Sequence, residues 1–233
     1  MIISHKYKYI FLKTTKTAGT SIEISLSRFC GEDDIITPLT SKDEAIRKEL
    51  GVSPQNWIYT RPFELKEYRL PDLRRLIFEG KKPQLTTKFW NHMPASKIRK
   101  GIGSKVWNRY FKFCFVRNPW DRAISRYYWN FEKTGERESL GESLEKNNPN
   151  SNFAIYAIEG KVAVDYVGKY ENLKEDLSVV CDQLGIPFDN WLPKAKGGVR
   201  QDRRPYSELL TEEQTNFINE KCAEEIKLFG YEF

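Results

Sequence analysis

Three segments of the chain each combine a short apolar run with a longer stretch in which apolar residues recur at helical spacing. The apolar runs cover residues 9–12, 111–116 and 162–167, and their length and their aromatic and β-branched content predict strands. The stretches that follow predict amphipathic helices; their apolar residues are Ile22, Leu26 and Phe29, then Trp120, Ala123, Ile124, Tyr127, Tyr128 and Phe131, then Leu173, Leu177, Val180 and Leu184. Three such units predict an α/β fold with a mostly parallel central sheet flanked by helices. We expect it to form a single domain over residues 1–233.

Two helix ends carry recognisable capping residues. Asn118 is a good N-cap, and Pro119 after it suits the first helical position. The last helix is predicted to begin at Thr211, because Thr211 and Gln214 match the capping-box pattern, and to end near Gly230. We expect this last helix to have a structural role, packing against the rest of the domain.

Two long segments, residues 31–90 and 134–152, show no clear pattern of strands or helices. Segments of that length in a compact domain are usually functional or disordered. We therefore expect the selectivity of the protein for its substrate to reside in them.

The composition is that of an ordinary globular protein. Of 233 residues, 39% are hydrophobic and 30% are charged, which excludes disordered acidic, collagen-like and low-complexity chains. The net charge of +6 favours a polyanionic partner, such as nucleic acid, an acidic glycan or a phosphorylated cofactor. No run approaches the roughly 18 apolar residues that a membrane span needs. Because residues 1–10 also lack the continuous apolar core of a signal peptide, we expect a soluble, cytoplasmic protein with no membrane partner.

The cysteines do not suggest a metal or redox site. No two of them form a C-x-x-C pair, so we expect buried free thiols. The sequence contains no metal-ligand cluster, and no metal is predicted. The four cysteines are Cys30, Cys114, Cys181 and Cys222.

The segment Lys13–Ser21 connects the first predicted strand to the first predicted helix. A helix start offers unpaired backbone N–H groups and the positive end of the helix dipole, which together favour a bound anion. Lys16, Thr20 and Ser21 add an ammonium group and two hydroxyls, so the segment is chemically a phosphate cradle. It differs from the nucleotide-triphosphatase loop G-x-x-x-x-G-K-[ST], because its lysine precedes its glycine. The alternative is a threonine-rich helix start with an exposed lysine.

A second candidate anion site follows the second strand. Arg117 lies at the end of that strand, and Ser125 lies about 9 Å along the axis of the next helix. A phosphate bound between them could contact both side chains. The arginine fork matches phosphate geometry. The alternative is a solvated helix face on which Asp121 and Glu132 pair with arginines.

Together, the two segments occupy corresponding positions on two strand–helix units, so we expect them to face the same edge of the sheet. Two phosphate sites at one edge imply a ligand with two separated phosphates. This arrangement resembles the sulfotransferases that use 3′-phosphoadenosine 5′-phosphosulfate (PAPS), a family with a P-loop-like nucleotide-binding architecture. The segment 16–21, K-T-A-G-T-S, is similar to the family's 5′-phosphosulfate loop, and residues 117–127 are similar to its 3′-phosphate motif.

The resemblance extends further along the chain. Residues 170–173 and, at the end of the chain, 229–231 also look like family segments, whereas Thr15 stands where relatives usually have proline. The likeness is closest to the carbohydrate branch of the family.

By this resemblance, each candidate residue has an implied role. Lys16 would contact the bridging oxygen and the 5′-phosphate and offset the charge that develops during transfer. Arg117 and Ser125 would hold the 3′-phosphate. The hydroxyls of Thr20 and Ser21 would complete the 5′-phosphate site, together with the backbone N–H groups of Thr17, Ala18, Gly19, Thr20 and Ser21.

The acceptor hydroxyl must lose a proton, which calls for a base. The chain has two histidines, His5 and His92. His92, in an aromatic and proline-bounded turn, resembles the base-bearing segment of the glycan branch and is the predicted general base; the alternative is a structural histidine. His5 is expected to be exposed, and Glu23 is the second candidate base, although a solvated or pairing carboxylate is its expected role.

A basic loop precedes the last helix. By the resemblance, one of its arginines would touch the 3′-phosphate or an acidic acceptor, and a solvated loop is the alternative. The candidates are Arg200, Arg203 and Arg204.

The sequence therefore predicts a sulfotransferase that moves a sulfuryl group from PAPS to a hydroxyl and releases PAP, the 3′,5′-bisphosphate. The expected acceptor is a carbohydrate or another polar alcohol, and nucleic acid is not the expected partner. Two alternatives stay open. One is a P-loop-like nucleotide kinase or phosphotransferase with Asp165 as a metal ligand, and the other is a non-catalytic basic module that binds polyanions through residues such as 97–112.

Overall fold

A five-stranded sheet forms the centre of the protein in the computed structural model, which describes residues 1–58, 87–135, 138–147, 149–195, 200 and 202–233. Its strands are β1 Ile2–Ser4, β2 Tyr9–Phe11, β3 Ile35–Ile36, β4 Phe111–Val116 and β7 Tyr166–Lys169, in the order β3-β1-β2-β4-β7. A separate antiparallel pair consists of β5 Ala157–Ile158 and β6 Lys161–Val162. Part of the first long segment, residues 59–86, lies outside the described residues.

Helices flank the sheet, as the sequence predicts, and the α/β class is confirmed. They are α1 Gly19–Ser27, α2 Ser41–Glu49, α3 Ala95–Ile102, α4 Ser104–Arg109, α5 Pro119–Thr134, α6 Leu140–Lys146, α7 Phe153–Tyr156, α8 Leu173–Leu184, α9 Tyr206–Leu209, α10 Glu212–Lys221 and α11 Ala223–Phe229. Within the described ranges, short 3₁₀ helices cover Pro149–Asn152 and Tyr170–Asn172.

The sheet is mixed rather than mostly parallel. The pairs β2·β4 and β4·β7 are parallel, whereas β1 pairs antiparallel with both β2 and β3. Residues 5–8 connect β1 to β2, and so short a connection allows only an antiparallel hairpin. β1 was not predicted from the sequence, because its three residues are too few to establish a hydrophobic period.

The helix starts agree with the predicted caps. The Asn118 side chain accepts hydrogen bonds from the backbone N–H groups of Trp120 and Asp121, each over 3.1 Å, and Thr211 forms the predicted capping box with Gln214. The predicted last helix is interrupted at Cys222 and ends before Gly230 as expected.

The third strand begins four residues later than predicted. The apolar run 162–167 is divided, because Val162 pairs with Ala157 in the small antiparallel pair, whereas the sheet strand starts at Tyr166.

Both faces of the central strands are buried, which explains their nearly continuous apolar sequences. Ile10, Leu12, Cys114 and Val116 point to one face and pack near α3 and α7. The alternate aromatic residues point to the other face and pack against α1 and α8; they are Tyr9, Phe11, Phe113 and Phe115. All four cysteines are free thiols; three are buried, and Cys30 is partly buried.

The three parallel strands bring three loops to one edge of the sheet. Residues 12–18 follow β2, Arg117 follows β4, and Tyr170–Asn172 follows β7. Because β2, β4 and β7 run in the same direction, all three loops leave from their carboxyl ends, where ligands bind in open α/β sheets.

Candidate active site

The loop between β2 and α1 has an unusual backbone. Lys16 and Ala18 have φ angles of 62° and 56°, in the left-handed region that residues with a side chain seldom adopt. Such conformations persist when the surrounding structure holds them in place. The contacts of residues 13–16 do this, because hydrogen bonds tie them to three other segments of the chain. Lys13 is bonded to the turn at His92 and Thr15 to Asn152. Thr14 and Lys16 are both bonded to the end of β4, at Phe115 and Arg117.

Asn152 holds the loop at Thr15. The backbone N–H and the hydroxyl of Thr15 donate to Asn152 Oδ1 over 2.8 and 2.7 Å, and Asn152 Nδ2 donates to the carbonyl oxygen of Thr15 over 3.0 Å. Asn152 has no solvent exposure. A proline at position 15 would have neither of these donors, so Asn152 fixes the entry to the loop in a way suited to threonine.

The neighbours of Thr15 are held from the adjacent strand and from the turn at His92. The hydroxyl of Thr14 donates to the carbonyl oxygen of Phe115 and lies 2.8 Å from that of Thr17. The carbonyl oxygen of Lys13 lies 2.9 Å from Nδ1 of His92.

Lys16, in the first predicted phosphate motif, contacts the second motif and its helix. Its carbonyl oxygen accepts a hydrogen bond from Arg117 Nη1 over 3.0 Å. Its ammonium group lies 4.8 Å from the centre of the Trp129 ring, on α5. Lys16 as a whole is partly exposed.

The start of α1 suits an anion. Its N-cap residue, Ala18, supplies no side-chain cap, and its first turn contains no acidic residue. Thr20 and Ser21 are both buried within this turn. A side chain at Gly19 would collide with the stem of Lys13, because an added Cβ would lie 2.8 Å from Lys13 Cγ. The glycine therefore permits close packing between the helix start and the loop.

Arg117 and Ser125 lie together, since Arg117 Nη1 donates to Ser125 Oγ over 3.2 Å. The guanidinium carbon of Arg117 lies 4.0 Å from the centre of the Tyr170 ring. Asp121 forms an ion pair with Arg117, with Nη2 and Oδ2 2.6 Å apart. This pairing agrees with the alternative interpretation of Arg117, but it does not place Arg117 on a solvated face, because only 11% of its side chain is exposed.

One arginine of the basic loop reaches this group. Arg200 Nη1 donates to Asp121 Oδ1 over 2.8 Å. Arg203 is exposed, and Arg204 pairs with Asp202 over 2.6 Å. Of the three arginines that the sequence left as candidates, Arg200 is therefore the one that contacts Asp121.

His92 is oriented by the loop. A carbonyl oxygen can only accept, so the contact with Lys13 places the proton of the neutral ring on Nδ1 and leaves Nε2 as a proton acceptor. His92 is solvent-exposed, yet the protein around its ring and the positive charge of Lys13 disfavour the protonated form and lower the pKa of His92 to about 4. The ring is thus neutral at pH 7.

Glu23 is a buried, paired carboxylate. It lies 2.7 Å from Lys13 Nζ and 3.2 Å from Arg47 Nη2, and its side chain has no exposure. Burial by itself would raise the pKa of Glu23, but the charges of Lys13, the Met1 amino group and Arg47 outweigh it and lower the pKa to about 2. Glu23 is therefore inaccessible to an acceptor, and of its two expected roles it has the pairing one.

Two candidates lie at the opposite edge of the sheet. His5 follows Ser4, which pairs with the amino end of β2, and its Nδ1 lies 2.7 Å from the Tyr110 hydroxyl. Asp165 precedes β7 and forms an ion pair with Lys112 over 2.7 Å. Asp165 is therefore not placed to be the metal ligand that the kinase alternative requires.

Two residues near the loop were not identified from the sequence. Asn152 lies in the segment 134–152, which carries no pattern, and Trp129 was not among the apolar residues assigned to the helix stripe. The sequence offered one indication, the presence of Thr15 in place of proline. It implies that another residue holds the entry to the loop, but it does not show which residue this is.

The described ranges contain neither a membrane-spanning helix nor a cluster of metal ligands. There, no helix combines the length and the apolar character required to cross a bilayer. Likewise, no cluster of three or more His, Cys, Asp and Glu residues in those ranges could hold a metal ion.

The chain is similar to proteins of one enzyme family. The profile described as "Sulfotransferase family" matches residues 1–159, more than half of the chain. An uncharacterized protein of Archaeoglobus fulgidus is 40% identical over 102 residues, which make up 41% of this chain and 84% of that protein. A crystal structure of a sulfotransferase from Alicyclobacillus acidocaldarius is similar over 96% of each chain, with 18% sequence identity and a TM-score of 0.44.

Proposed function

Because the chain belongs to the sulfotransferase family, we propose that it transfers a sulfuryl group from PAPS to an acceptor hydroxyl and releases PAP. The observation that carries this proposal is the position of Arg117, which contacts both Ser125 and the backbone of Lys16. A single side chain thus links the two segments that would hold the two phosphate-bearing ends of the donor.

The loop and the start of α1 would hold the 5′-phosphosulfate. The backbone N–H groups of residues 17–21 and the hydroxyls of Thr20 and Ser21 would donate to the phosphate, in the favourable field of the helix dipole. Lys16 would stabilise the negative charge that develops on the bridging oxygen during transfer. The absence of acidic residues from the first turn of α1 supports this assignment.

Arg117 and Ser125 would hold the 3′-phosphate. A guanidinium and a hydroxyl are suitable donors for a dianionic phosphate, and the hydrogen bond between them already brings both side chains to one point. Arg200, which reaches the same group through Asp121, would add a second guanidinium.

His92 would act as the general base. Its Nε2 would accept the proton of the acceptor hydroxyl while the acceptor oxygen forms its bond to sulfur and the bond between sulfur and the bridging oxygen breaks. The contact between Nδ1 and the carbonyl oxygen of Lys13 supports this role, because it keeps the ring in the required tautomer and joins it to the loop that carries Lys16.

The acceptor would be a carbohydrate or another polar alcohol. Trp90, two residues before His92, has 37% of its surface exposed, and Lys97 Nζ lies 5.5 Å from its ring centre. A partly exposed aromatic ring beside a positive charge suits a polar, ring-shaped acceptor. The exposed basic residues Arg99 and Lys100 on α3 extend this positive surface.

A thermal-shift comparison of PAP, AMP and ATP, each with and without Mg²⁺, tests the proposal. We expect PAP to raise the melting temperature most and without Mg²⁺, since binding to the folded state alone stabilises it. A larger shift with ATP and Mg²⁺ would favour a kinase. An effect of PAP that disappears in moderate salt, as non-specific polyanion binding does, would favour the basic binding module.

A further inference from the structure

Asp121 lies between two arginines from distant parts of the chain. Its Oδ2 accepts from Arg117 Nε over 2.8 Å and from Arg117 Nη2 over 2.6 Å. Its Oδ1 accepts from Arg200 Nη1 over 2.8 Å. One carboxylate therefore already pairs with both guanidinium groups that the proposed function assigns to the 3′-phosphate.

Arg117 does not depend on Asp121 for its position. Its Nη1 donates to the carbonyl oxygen of Lys16 and to Ser125 Oγ, and its guanidinium lies against Tyr170. Three contacts would therefore remain if the carboxylate of Asp121 were neutralised.

Arg200 has independent contacts too. Its Nε donates to the carbonyl oxygen of Asp202 over 2.7 Å, and its Nη2 donates to that of Arg204. Since both arginines are held by other contacts, the main effect of Asp121 on this site is its negative charge.

We propose that Asp121 limits the affinity of this site for the 3′-phosphate by acting as an internal anion that competes with it for Arg117 and Arg200. The inference rests on the proposed function. A dianionic phosphate competes successfully with a single carboxylate, because it carries more charge and more acceptor oxygens. A nucleotide without a 3′-phosphate leaves the Arg117–Asp121–Arg200 bridge intact and gains nothing from either arginine.

The competition has a defined consequence for affinity. Asp121 opposes the binding of every ligand that carries a 3′-phosphate, both by occupying the guanidiniums and by repelling the incoming charge. It has little effect on a ligand such as AMP, whose single phosphate would bind at the Lys16 loop. Neutralising Asp121 should therefore strengthen PAP binding selectively.

The test is calorimetric measurement of PAP and AMP affinity for the wild-type chain, Asp121→Asn and Asp202→Asn. Asp202→Asn is a matched control, because it removes the same charge from the neighbouring loop and breaks a pair with Arg204 rather than the bridge. We expect Asp121→Asn to tighten PAP binding by about 5- to 10-fold and to change AMP binding by less than about 2-fold. Asp202→Asn should change neither affinity by more than about 2-fold.

Other outcomes would overturn the inference. Weaker PAP binding in Asp121→Asn would mean that Asp121 orients the arginines rather than competing for them, and an equal gain in Asp202→Asn would reduce the effect to net charge. Asp121→Ser repeats the measurement if the asparagine variant melts at a much lower temperature than the wild type. A wild-type chain that binds PAP no better than AMP would instead reject the proposed function, which separates the two failures.

Discussion

Arg117 donates a hydrogen bond to the backbone oxygen of Lys16 over 3.0 Å, although 101 residues separate them in the sequence. The contact joins the end of β4 to the loop after β2. Because that loop is strained at Lys16 and Ala18, a donor at the carbonyl of Lys16 helps to keep the loop in a binding-competent shape. The two segments that are proposed to hold the phosphates are thus connected in the free protein.

Replacing Arg117 should weaken PAP binding much more than AMP binding. Arg117→Ala removes the charged donor that is proposed to bind the 3′-phosphate, and the loss of such hydrogen bonds predicts about 100-fold weaker PAP binding. Arg117→Lys keeps the positive charge but loses the paired N–H donors of the guanidinium group, and we expect about 10-fold weaker PAP binding. Calorimetry with both nucleotides measures the effect, and an equal loss for PAP and AMP would assign Arg117 to loop structure alone.

Lys16→Ala should reduce turnover with a smaller change in PAP affinity. The loop backbone keeps its contacts with Arg117 and Asn152, whereas the ammonium that would stabilise the transition state is lost; we expect kcat to fall by about 100- to 1000-fold. Lys8→Ala is the matched control, because Lys8 is an exposed lysine with a similar φ of 57° at the opposite edge of the sheet. If single-turnover sulfuryl transfer is as fast in Lys16→Ala as in Lys8→Ala, Lys16 is not a catalytic residue.

Local sequence signals predicted the parts of the site that depend on neighbouring residues. The loop before α1 and the Asn118 cap follow from strand–helix patterning and capping chemistry, both of which act over a few residues. The clamp between Asn152 and Thr15 joins residues 137 positions apart, and nothing within the segment 134–152 indicates it. Contacts of this kind depend on the tertiary fold, and the local pattern of hydrophobic residues does not indicate them.

Long-range strand pairing also explains the misassigned third strand and the position of Asp165. The run 162–167 has the apolar content of one strand, but pairing divides it between β6 and β7, and only the partner strands determine where the division falls. Asp165 therefore precedes its strand and lies at the edge away from Lys16, whereas a metal ligand would need to follow the strand.

His92→Asn should remove most of the turnover and leave PAP affinity nearly unchanged. Asparagine is suitable because His92 has a φ of 59°, and asparagine tolerates the left-handed region better than alanine. Loss of a general base predicts a fall in kcat of about 100- to 10,000-fold. His5→Asn, at the far edge of the sheet, is the control. Full activity in His92→Asn would mean that another group acts as the base.

The titration of His92 should be displaced to acidic pH. With a pKa lowered to about 4 from 6.5, the ring stays neutral down to about pH 5, so protonation of His92 should not reduce activity between pH 7 and 5 in the free enzyme. Between pH 6.5 and 4 the unfolded chain binds this proton and the folded protein does not, so His92 lowers stability as the pH falls through that range. NMR of the ring protons, assigned with His92→Asn, measures the midpoint; a midpoint near 6.5 would contradict the expectation.

Asn152→Ala should weaken the binding of PAP and AMP equally. Thr15 would lose its three hydrogen bonds to the buried Asn152 side chain, so the loop that would hold the 5′-phosphate should become less ordered. The expected costs are about 2–3 kcal/mol in the free energy of unfolding and about 10-fold in the affinity for each nucleotide. This pattern differs from that of Arg117→Ala, which should affect PAP much more than AMP. Thr15→Val is the partial control, because it removes only the hydroxyl and should cost less. If Asn152→Ala is destabilised but binds both nucleotides with wild-type affinity, Asn152 contributes to the stability of the fold and not to nucleotide binding.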